Sequence, residues 1–173
     1  MDLKSKIRTI PHFPKQGVMF KDITPLLQDP EAFCHVIKRL AKEYKDKNVD
    51  IVASAESRGF IFGAALANEM KLSFVPLRKP GKLPYKTIRQ EYVTEYSTDG
   101  FEIHVDAIKK GDCVLIIDDL LATGGTSKAM VNLVERLGGK VVGIAFLIEL
   151  GFLKGREMLK GYDVFSLVNY ESE

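Results

Sequence analysis

Residues 113–117, with the sequence CVLII, limit the folds open to this chain more than any other segment. The run is continuously apolar and partly β-branched, which is typical of a strand buried on both faces. Strands of this kind occur in mostly parallel sheets that helices cover on both sides. The chain has 173 residues. This length favours a single domain whose core needs neither disulfide nor metal to be stable.

Strands and helices are predicted to alternate on either side of this run. Asp29 and Pro30 favour the start of a helix, and apolar residues then recur at helical spacing as far as Tyr44. We predict further helices over 59–70 and 126–137, and further strands over 48–53, 73–77, 141–148 and 164–168. The alternation predicts an α/β fold with a mostly parallel central sheet flanked by helices.

Composition and charge exclude several classes of protein. Charged residues make up 28% of the chain and hydrophobic residues 46%, which argues against wholesale disorder. The formal net charge of +2 is too small for a protein that coats nucleic acid or a membrane. We find no secretory signal and no apolar run near the ~20 residues of a membrane span. We therefore expect a cytoplasmic protein, with Cys34 and Cys113 as reduced thiols in its core.

The segment after the apolar run carries the strongest chemical signal. Asp118 and Asp119 begin the sequence DDLLATGGT, which leads into the predicted helix over 126–137. Its two glycines allow backbone N–H groups to surround a phosphate, while its two threonines and the helix N-terminus add further donors. The acids would repel phosphate, so they suit sugar hydroxyls or a hydrated Mg²⁺ beside a pyrophosphate. Neither a P-loop nor a dinucleotide-binding motif is present in the sequence.

Two other segments are compatible with a ligand rich in phosphate. Arg58 lies in the sequence AESRG after a predicted strand and could present its guanidinium to a pyrophosphate, although an ordinary surface turn has the same sequence features. Residues 70–90 contain six basic residues and no acid, and Pro and Gly residues exclude a helix there. We expect a mobile cationic loop that closes over a pyrophosphate, with a solvated or nucleic-acid-facing loop as the alternative.

Residues 114–126 resemble the 5-phosphoribosyl-1-pyrophosphate signature of the type I phosphoribosyltransferases, without a break. The resemblance implies that Asp118 and Asp119 are catalytic and hold the ribose 2′- and 3′-hydroxyls, while the following loop holds the 5′-phosphate. It implies one domain over 1–173, with a small hood over about 11–28 and a mobile lid loop over about 79–103. The implied ligands of the phosphoribosyl and pyrophosphate groups are Glu56, Ser57, Arg58, Arg78, Lys79, Lys82, Asp118, Asp119, Leu121, Ala122, Thr123, Gly124, Gly125 and Thr126.

The sequence FPKQGVMFKDITP, from Phe13 onward, resembles the hood segment of the adenine phosphoribosyltransferases within that family. This implies that Phe20 stacks on the purine, and that the backbones of Met19 and Lys21 recognise its edge. Many relatives are expected to carry Arg in place of Lys21. Because the backbone makes the contact there, we expect this difference to have little effect.

Two more segments extend the same resemblance. The sequence IELGFLKGRE, over 148–157, is similar to a segment near the C-terminus of these enzymes, which implies that Leu150 covers the other face of the purine. A Glu-Tyr pair in the lid corresponds to Glu95 and Tyr96. Glu95 is then the candidate acid/base near the imidazole ring of the purine, and Tyr96 helps to close the site.

Together these resemblances imply a purine salvage enzyme that joins adenine to 5-phosphoribosyl-1-pyrophosphate, giving AMP and pyrophosphate. They imply a cytoplasmic homodimer in which Arg78 acts across the subunits. Mg²⁺ is the implied cofactor, held mainly by the substrate pyrophosphate and not directly by the protein. Neither nucleic acid nor membrane is expected as a partner.

Two alternatives remain open at this point. The first is a related enzyme that uses xanthine, hypoxanthine, guanine or orotate. The second is a regulator that senses 5-phosphoribosyl-1-pyrophosphate and binds DNA. Such regulators usually carry a helix-turn-helix domain, for which too few residues precede the hood.

Overall fold

Strands and helices alternate along most of the chain in the computed structural model, which describes residues 1–93 and 98–172. The strands are β1 (Arg8–Pro11), β2 (Met19–Asp22), β3 (Ile51–Ala55), β4 (Ser73–Leu77), β5 (Thr87–Val93), β6 (Thr98–His104), β7 (Cys113–Leu121), β8 (Lys140–Leu150) and β9 (Val164–Tyr170). The α-helices are α1 (Thr24–Gln28), α2 (Pro30–Tyr44), α3 (Gly59–Met70) and α4 (Gly125–Arg136), and short 3₁₀ helices occupy Lys4–Lys6, Gly151–Leu153 and Gly155–Leu159. Within this described part of the chain, no helix has the length and apolarity required to cross a membrane.

A parallel sheet lies at the centre, with the strand order β4-β3-β7-β8-β9. Leu115 and Ile117 of β7 pack in one core cluster with residues of α2 and α3. Val114 and Ile116 pack in a second cluster with residues of α4. Since successive side chains of a strand point to opposite faces, helices cover both faces of the sheet. The predicted α/β architecture is confirmed.

Most predicted elements form close to their predicted positions. The helix over 59–70 and the strand over 73–77 coincide with α3 and β4. The helix α2 begins as predicted, and the Asp29 carboxylate accepts hydrogen bonds of 3.0 Å from the backbone N–H groups of Glu31 and Ala32. The strand β3 begins at Ile51 and ends at Ala55, so the prediction of 48–53 was placed too early.

The strand β7 extends further than its apolar sequence predicts. Residues 118–121 continue the parallel ladder with β8, where Asp118 pairs with Phe146 and Leu121 pairs with Glu149. The two acids therefore lie within the strand rather than after it. Backbone pairing with β8 outweighs the low strand propensity of aspartate at this end of the sheet.

Two antiparallel hairpins accompany the central sheet. The first pairs β1 with β2 and forms part of the predicted hood. The second pairs β5 with β6 and occupies much of the predicted lid. Phe101 and Ile103 of β6 are fully buried in the same cluster as the apolar face of α4. Residues 94–97 between these strands lie outside the described residues.

The prediction that both cysteines belong to the core is wrong for Cys34. Its side chain is exposed on α2, and Cys113 at the start of β7 is half-buried. The buried face of α2 includes Val36, Ile37 and Leu40. Cys34 precedes Val36 by two positions, which places it roughly 200° around the helix from that residue.

Candidate active site

Asp118 and Asp119 lie side by side near the carboxyl end of β7, and both are buried. The backbone N–H of Asp119 donates a hydrogen bond of 2.9 Å to Oδ1 of Asp118. Oδ2 of Asp119 lies 2.7 Å from Nη2 of Arg58. Because β3 and β7 are neighbours in the parallel sheet, the segment that follows β3 reaches the acids of β7. The topology thus brings together two motifs that are far apart in the sequence.

The two carboxyl groups carry an electrostatic cost in the ligand-free protein. Burial raises the pKa of Asp118 well above its ordinary value, and the adjacent Asp119 carboxylate raises it further. Burial also raises the pKa of Asp119, while the Arg58 guanidinium acts in the opposite direction. A ligand that offers hydroxyl donors to this pair would compensate part of the cost of burying it.

Gly59, the first residue of α3, lies against the acidic pair. A Cβ atom at this position would come within 2.6 Å of Oδ1 of Asp118 and 2.8 Å of Oγ of Ser54. The Ser54 hydroxyl donates a hydrogen bond of 2.8 Å to the Ile117 carbonyl. The helix can therefore approach the end of β7 only with glycine at this position. Sequence reasoning singled out Gly59 as a neighbour of Arg58 but missed this steric role.

Residues 122–124, which we call the glycine loop, connect β7 to α4. Gly124 has a positive φ of 90° and precedes the first residue of α4, Gly125. A cavity of about 220 Å³ opens between this loop, the acidic pair and Arg58. Its lining consists of Arg58, Asp118, Asp119, Leu120, Ala122, Thr123, Gly124, Thr126 and Ser127. Anions bind favourably at such a helix N-terminus, because unpaired N–H groups and the helix dipole face the ligand.

A second cavity, of about 300 Å³, lies between the hood and the end of β8. Its lining consists of Gly17, Val18, Met19, Lys21, Ala122, Leu150, Phe152 and Leu153. Ala122 lines both cavities, so they are adjacent. The lining is largely apolar, as a planar heterocycle requires, and its polar groups are mainly those of the backbone.

Two predicted hood residues make contacts outside the second cavity. The Phe20 ring lies edge-on to Phe13, with 5.1 Å between the ring centroids, and the Arg58 guanidinium is 5.0 Å from its centre. The Lys21 ammonium lies 3.1 Å from Oγ1 of Thr9 and 4.3 Å from the centre of the Tyr170 ring. The Phe20 ring therefore contacts both Phe13 of the hood and Arg58, the arginine that pairs with Asp119.

Arg78 and Lys79, where the predicted lid begins, pair with acids in this structure. Nε of Arg78 lies 3.3 Å from Oε1 of Glu56, and the backbone N–H of Lys79 donates a hydrogen bond to the same carboxylate. The Lys79 ammonium forms an ion pair with Asp99 and donates to the Tyr92 hydroxyl at 3.0 Å. Glu56 thus links the AESRG segment to the start of the lid.

The remaining predicted site residues are dispersed. Arg78, Lys79 and Lys82 are not among the described residues that line the two cavities. Lys82 and Ser57 are exposed. Leu121 is buried in the core cluster of α4. Glu95 and Tyr96 fall outside the described residues, so their roles stay predictions.

Comparison with known proteins identifies the family. A model of the phosphoribosyl transferase domain matches residues 25–171. An adenine phosphoribosyltransferase of Methanococcus maripaludis is 56% identical over 171 residues, which are 99% of this chain and 99% of that protein. The chain belongs to the adenine phosphoribosyltransferase family.

Solved structures of the family share the fold. The crystal structure of adenine phosphoribosyltransferase from Thermoanaerobacter pseudethanolicus superposes with a TM-score of 0.95, at 54% identity and 98% coverage of both chains. The enzyme of Saccharomyces cerevisiae, solved in complex with adenine and an imino-altritol bisphosphate, has a TM-score of 0.90 at 39% identity, over 95% of this chain and 96% of that one. The predicted type I phosphoribosyltransferase fold is confirmed.

The Asp118→Asn variant is expected to stabilise the ligand-free protein. A carboxyl whose pKa is raised in the folded state stabilises the fold at low pH, and that contribution is lost as the pH rises through the folded pKa. The asparagine side chain has the same shape and stays neutral, so the variant does not lose this stability as the pH rises. We expect scanning calorimetry at pH 7 to show a Tm higher by a few degrees, since about 1 kcal/mol corresponds to ~2–4 °C at this size.

The control is Asp46→Asn, whose side chain is 86% exposed and whose substitution should leave Tm unchanged. The difference in Tm between Asp118→Asn and the parent protein should decrease as the pH is lowered, because Asp118 then becomes neutral in both the folded and the unfolded state. A Tm below that of the parent at pH 7 would show that the charged carboxylate stabilises the fold.

Proposed function

We propose that the protein transfers the 5-phosphoribosyl group of 5-phosphoribosyl-1-pyrophosphate to N9 of adenine, giving AMP and pyrophosphate in purine salvage. The observation that carries this proposal is the pair of adjacent cavities that share Ala122. One is apolar and suits a purine, and the other combines two carboxylates with a helix N-terminus and suits a ribose phosphate. The full-length similarity to enzymes named for this reaction supports the same conclusion.

The ribose and its 5′-phosphate occupy the smaller cavity. Asp118 and Asp119 accept hydrogen bonds from the 2′- and 3′-hydroxyls, which have donors for two carboxylates held side by side. The 5′-phosphate is bound by backbone N–H groups of the glycine loop and by the hydroxyls of Thr123 and Thr126. The backbones of Leu121 and Gly125 complete this set.

Adenine occupies the larger cavity between the hood and Leu150. The backbones of Met19 and Lys21 recognise the edge of the base, while Phe20 and Leu150 cover its two faces. Stacking of this kind supplies affinity for any purine, so the hydrogen bonds at the edge determine which base is accepted. The Lys21 ammonium contacts Thr9 and Tyr170, so the proposed contact with the base is made by the Lys21 backbone and not by its ammonium.

The reaction breaks the bond between C1′ and the pyrophosphate oxygen and forms the bond between C1′ and N9. Positive charge develops on the ribose in the transition state, and the carboxylates of Asp118 and Asp119 stabilise it at short range. Arg58, with Ser57 and Glu56 beside it, binds the pyrophosphate as it leaves with the electron pair. Glu95 accepts the N9 proton, and Tyr96 helps to exclude water.

The lid, residues 79–103, closes over the bound pyrophosphate. Arg78, Lys79 and Lys82 then supply positive charge, and Arg78 does so across the dimer interface. The present partners of Arg78 and Lys79 are the carboxylates of Glu56 and Asp99, which the pyrophosphate replaces. Closure therefore exchanges the ion pairs of Arg78 and Lys79 for contacts with the pyrophosphate.

Mg²⁺ would be held mainly by the pyrophosphate of the substrate. Among residues 1–93 and 98–172, no three His, Cys, Asp or Glu side chains are grouped to hold a metal ion. Mg²⁺ commonly binds through substrate phosphates, water and one or two carboxylates. Asp118 and Asp119 are the carboxylates of the smaller cavity and fit that limited role. When bound, the ion would supply positive charge beside the leaving pyrophosphate.

The active form is a cytoplasmic homodimer. The strand β4 forms an edge of the central sheet, and Ile61 on the adjacent α3 is 38% exposed. Phe60 and Phe74 contact each other edge-on beside it, with 5.8 Å between the ring centroids. This apolar surface lies on the same side of the sheet as Arg58 at the start of α3, which is compatible with a site completed by a second subunit.

Light scattering coupled to size exclusion tests the dimer. We expect a mass twice the 19.4 kDa of the chain, and a mass close to that of the chain for Ile61→Asp, because a buried charge disfavours an apolar interface. The control Lys38→Asp lies on the exposed face of α2 and should remain dimeric. A monomeric parent protein would contradict the proposal.

The reaction is tested by offering adenine, guanine, hypoxanthine and xanthine separately with 5-phosphoribosyl-1-pyrophosphate and Mg²⁺. We expect AMP from adenine and no product from the other bases. Asp118→Asn should lower kcat by on the order of 10²-fold, since removal of one preorganised electrostatic group has effects of that size. The control Asp46→Asn should have the same kcat as the parent enzyme.

Other outcomes would separate the alternatives. Turnover of a different base would preserve the role of the acidic pair and contradict the assignment of adenine. Binding of 5-phosphoribosyl-1-pyrophosphate without turnover of any base would favour a regulator that senses this metabolite.

A further inference from the structure

An ion pair between buried Glu149 and half-exposed Arg156 lies next to the segment that links the two cavities. Glu149, only 6% exposed, accepts hydrogen bonds of 2.7 and 2.8 Å from Nε and Nη2 of Arg156. The Ser166 hydroxyl donates a third, of 2.6 Å, to the same carboxylate. Nη1 of Arg156 donates to the Val164 carbonyl at 2.8 Å. The network joins β8, β9 and the 3₁₀ helix Gly155–Leu159.

Both charged side chains of this pair have hydrogen-bond partners. Hydrogen bonds from Arg156 lower the pKa of Glu149 despite its burial, and a bond from Ser166 acts in the same direction. A planar guanidinium with two parallel bonds to one carboxylate fixes both distance and orientation. Arg156 is thereby held against the sheet in one geometry, and Gly155, its neighbour in the chain, is held with it.

Gly155 packs directly under the glycine loop. A Cβ atom on Gly155 would overlap the Ala122 carbonyl oxygen and lie 2.9 Å from Cδ1 of Leu121. A Cβ atom on Gly124 would lie 2.5 Å from the Gly155 carbonyl oxygen and 2.9 Å from Cβ of Met158. The two backbones are therefore in contact with no side chain between them. A shift of Gly155 would move the loop that binds the 5′-phosphate.

The other end of the same segment forms a wall of the base cavity. Leu150 directly follows Glu149 in the chain, and Leu150, Phe152 and Leu153 all line the larger cavity. The stretch from Leu150 to Gly155 thus lines the larger cavity and packs against the glycine loop that lines the smaller one. Glu149 and Arg156 flank this stretch at its two ends. Neither Glu149 nor Arg156 lines a cavity in the described structure.

From this arrangement we infer that Glu149 and Arg156 are positioning residues, which hold residues 150–155 so that the base cavity and the glycine loop keep their geometry together. The inference rests on the proposed function for the identity of the two ligands. It predicts that weakening the pair impairs binding of both ligands, although neither residue touches them.

The test measures Kd by calorimetry for AMP and for 5-phosphoribosyl-1-pyrophosphate with Mg²⁺. Arg156→Lys keeps the charge and loses the two parallel hydrogen bonds, while Glu149→Gln keeps the shape and loses the charge. For both ligands we expect Kd to rise by about 10- to 100-fold, the effect that small misplacements of binding groups produce. In a double-mutant cycle, Glu149→Gln with Arg156→Met should be less than additive, because the pair acts as a unit.

A variant that destabilises the core elsewhere is the matched control. Val36→Ala on α2 removes fully buried atoms of a residue that lines neither cavity, and should lower Tm while leaving both Kd values unchanged. If the pair were only structural, Arg156→Lys would behave in the same way, with a lower Tm and unchanged Kd. That result would overturn the inference.

Arg156→Lys keeps the inference falsifiable even if Glu149→Gln does not fold, since it retains the positive charge beside Glu149. Failure of the proposed function gives a different result, because the parent protein itself would then form no AMP from adenine, whatever the Kd values of the variants. A rise in Kd for only one ligand would also contradict the inference, since residues 150–155 line the larger cavity and support the glycine loop of the smaller one.

Discussion

The ion pair between Arg58 and Asp119 joins the ends of two neighbouring parallel strands, and the candidate site is built around it. It places a guanidinium beside two buried carboxylates, whose charges would otherwise repel each other at high cost. The close approach of α3 that positions Arg58 is possible only because Gly59 has no side chain. The buried carboxylates lower the stability of the ligand-free protein, and the hydroxyls of a ribose can supply the hydrogen bonds that they lack.

A second constraint is the backbone contact between the glycine loop and residue 155. Gly124 and Gly155 each lack a side chain where the two segments meet. The contact places the loop between the acidic pair on one side and the base cavity on the other. Under the proposed function, this backbone contact couples the sites of the two substrates, and the ion pair of Glu149 with Arg156 lies next to it.

Local patterns were sufficient to predict much of the fold and the position of the chemistry. The helix α3 and the strand β4 follow from apolar runs with clear ends, and the loop after β7 follows from its glycines and hydroxyls. The extension of β7 through Asp118 and Asp119 could not be predicted, because it depends on pairing with β8. The partners of Lys79 and Glu56 and the fit of Gly155 under the glycine loop depend on contacts between distant segments, which no local pattern records.

The central claim is that the two adjacent cavities hold one nucleotide, with its base against Leu150 and its ribose on the acidic pair. A crystal structure of the protein with AMP tests this most directly. The account predicts the adenine ring between the hood and Leu150, the ribose hydroxyls within 3.2 Å of the Asp118 and Asp119 carboxylates, roughly the limit of a good hydrogen bond, and the phosphate at the N-terminus of α4. An AMP molecule whose phosphate lies away from the glycine loop, or whose ribose does not contact the acidic pair, would contradict it.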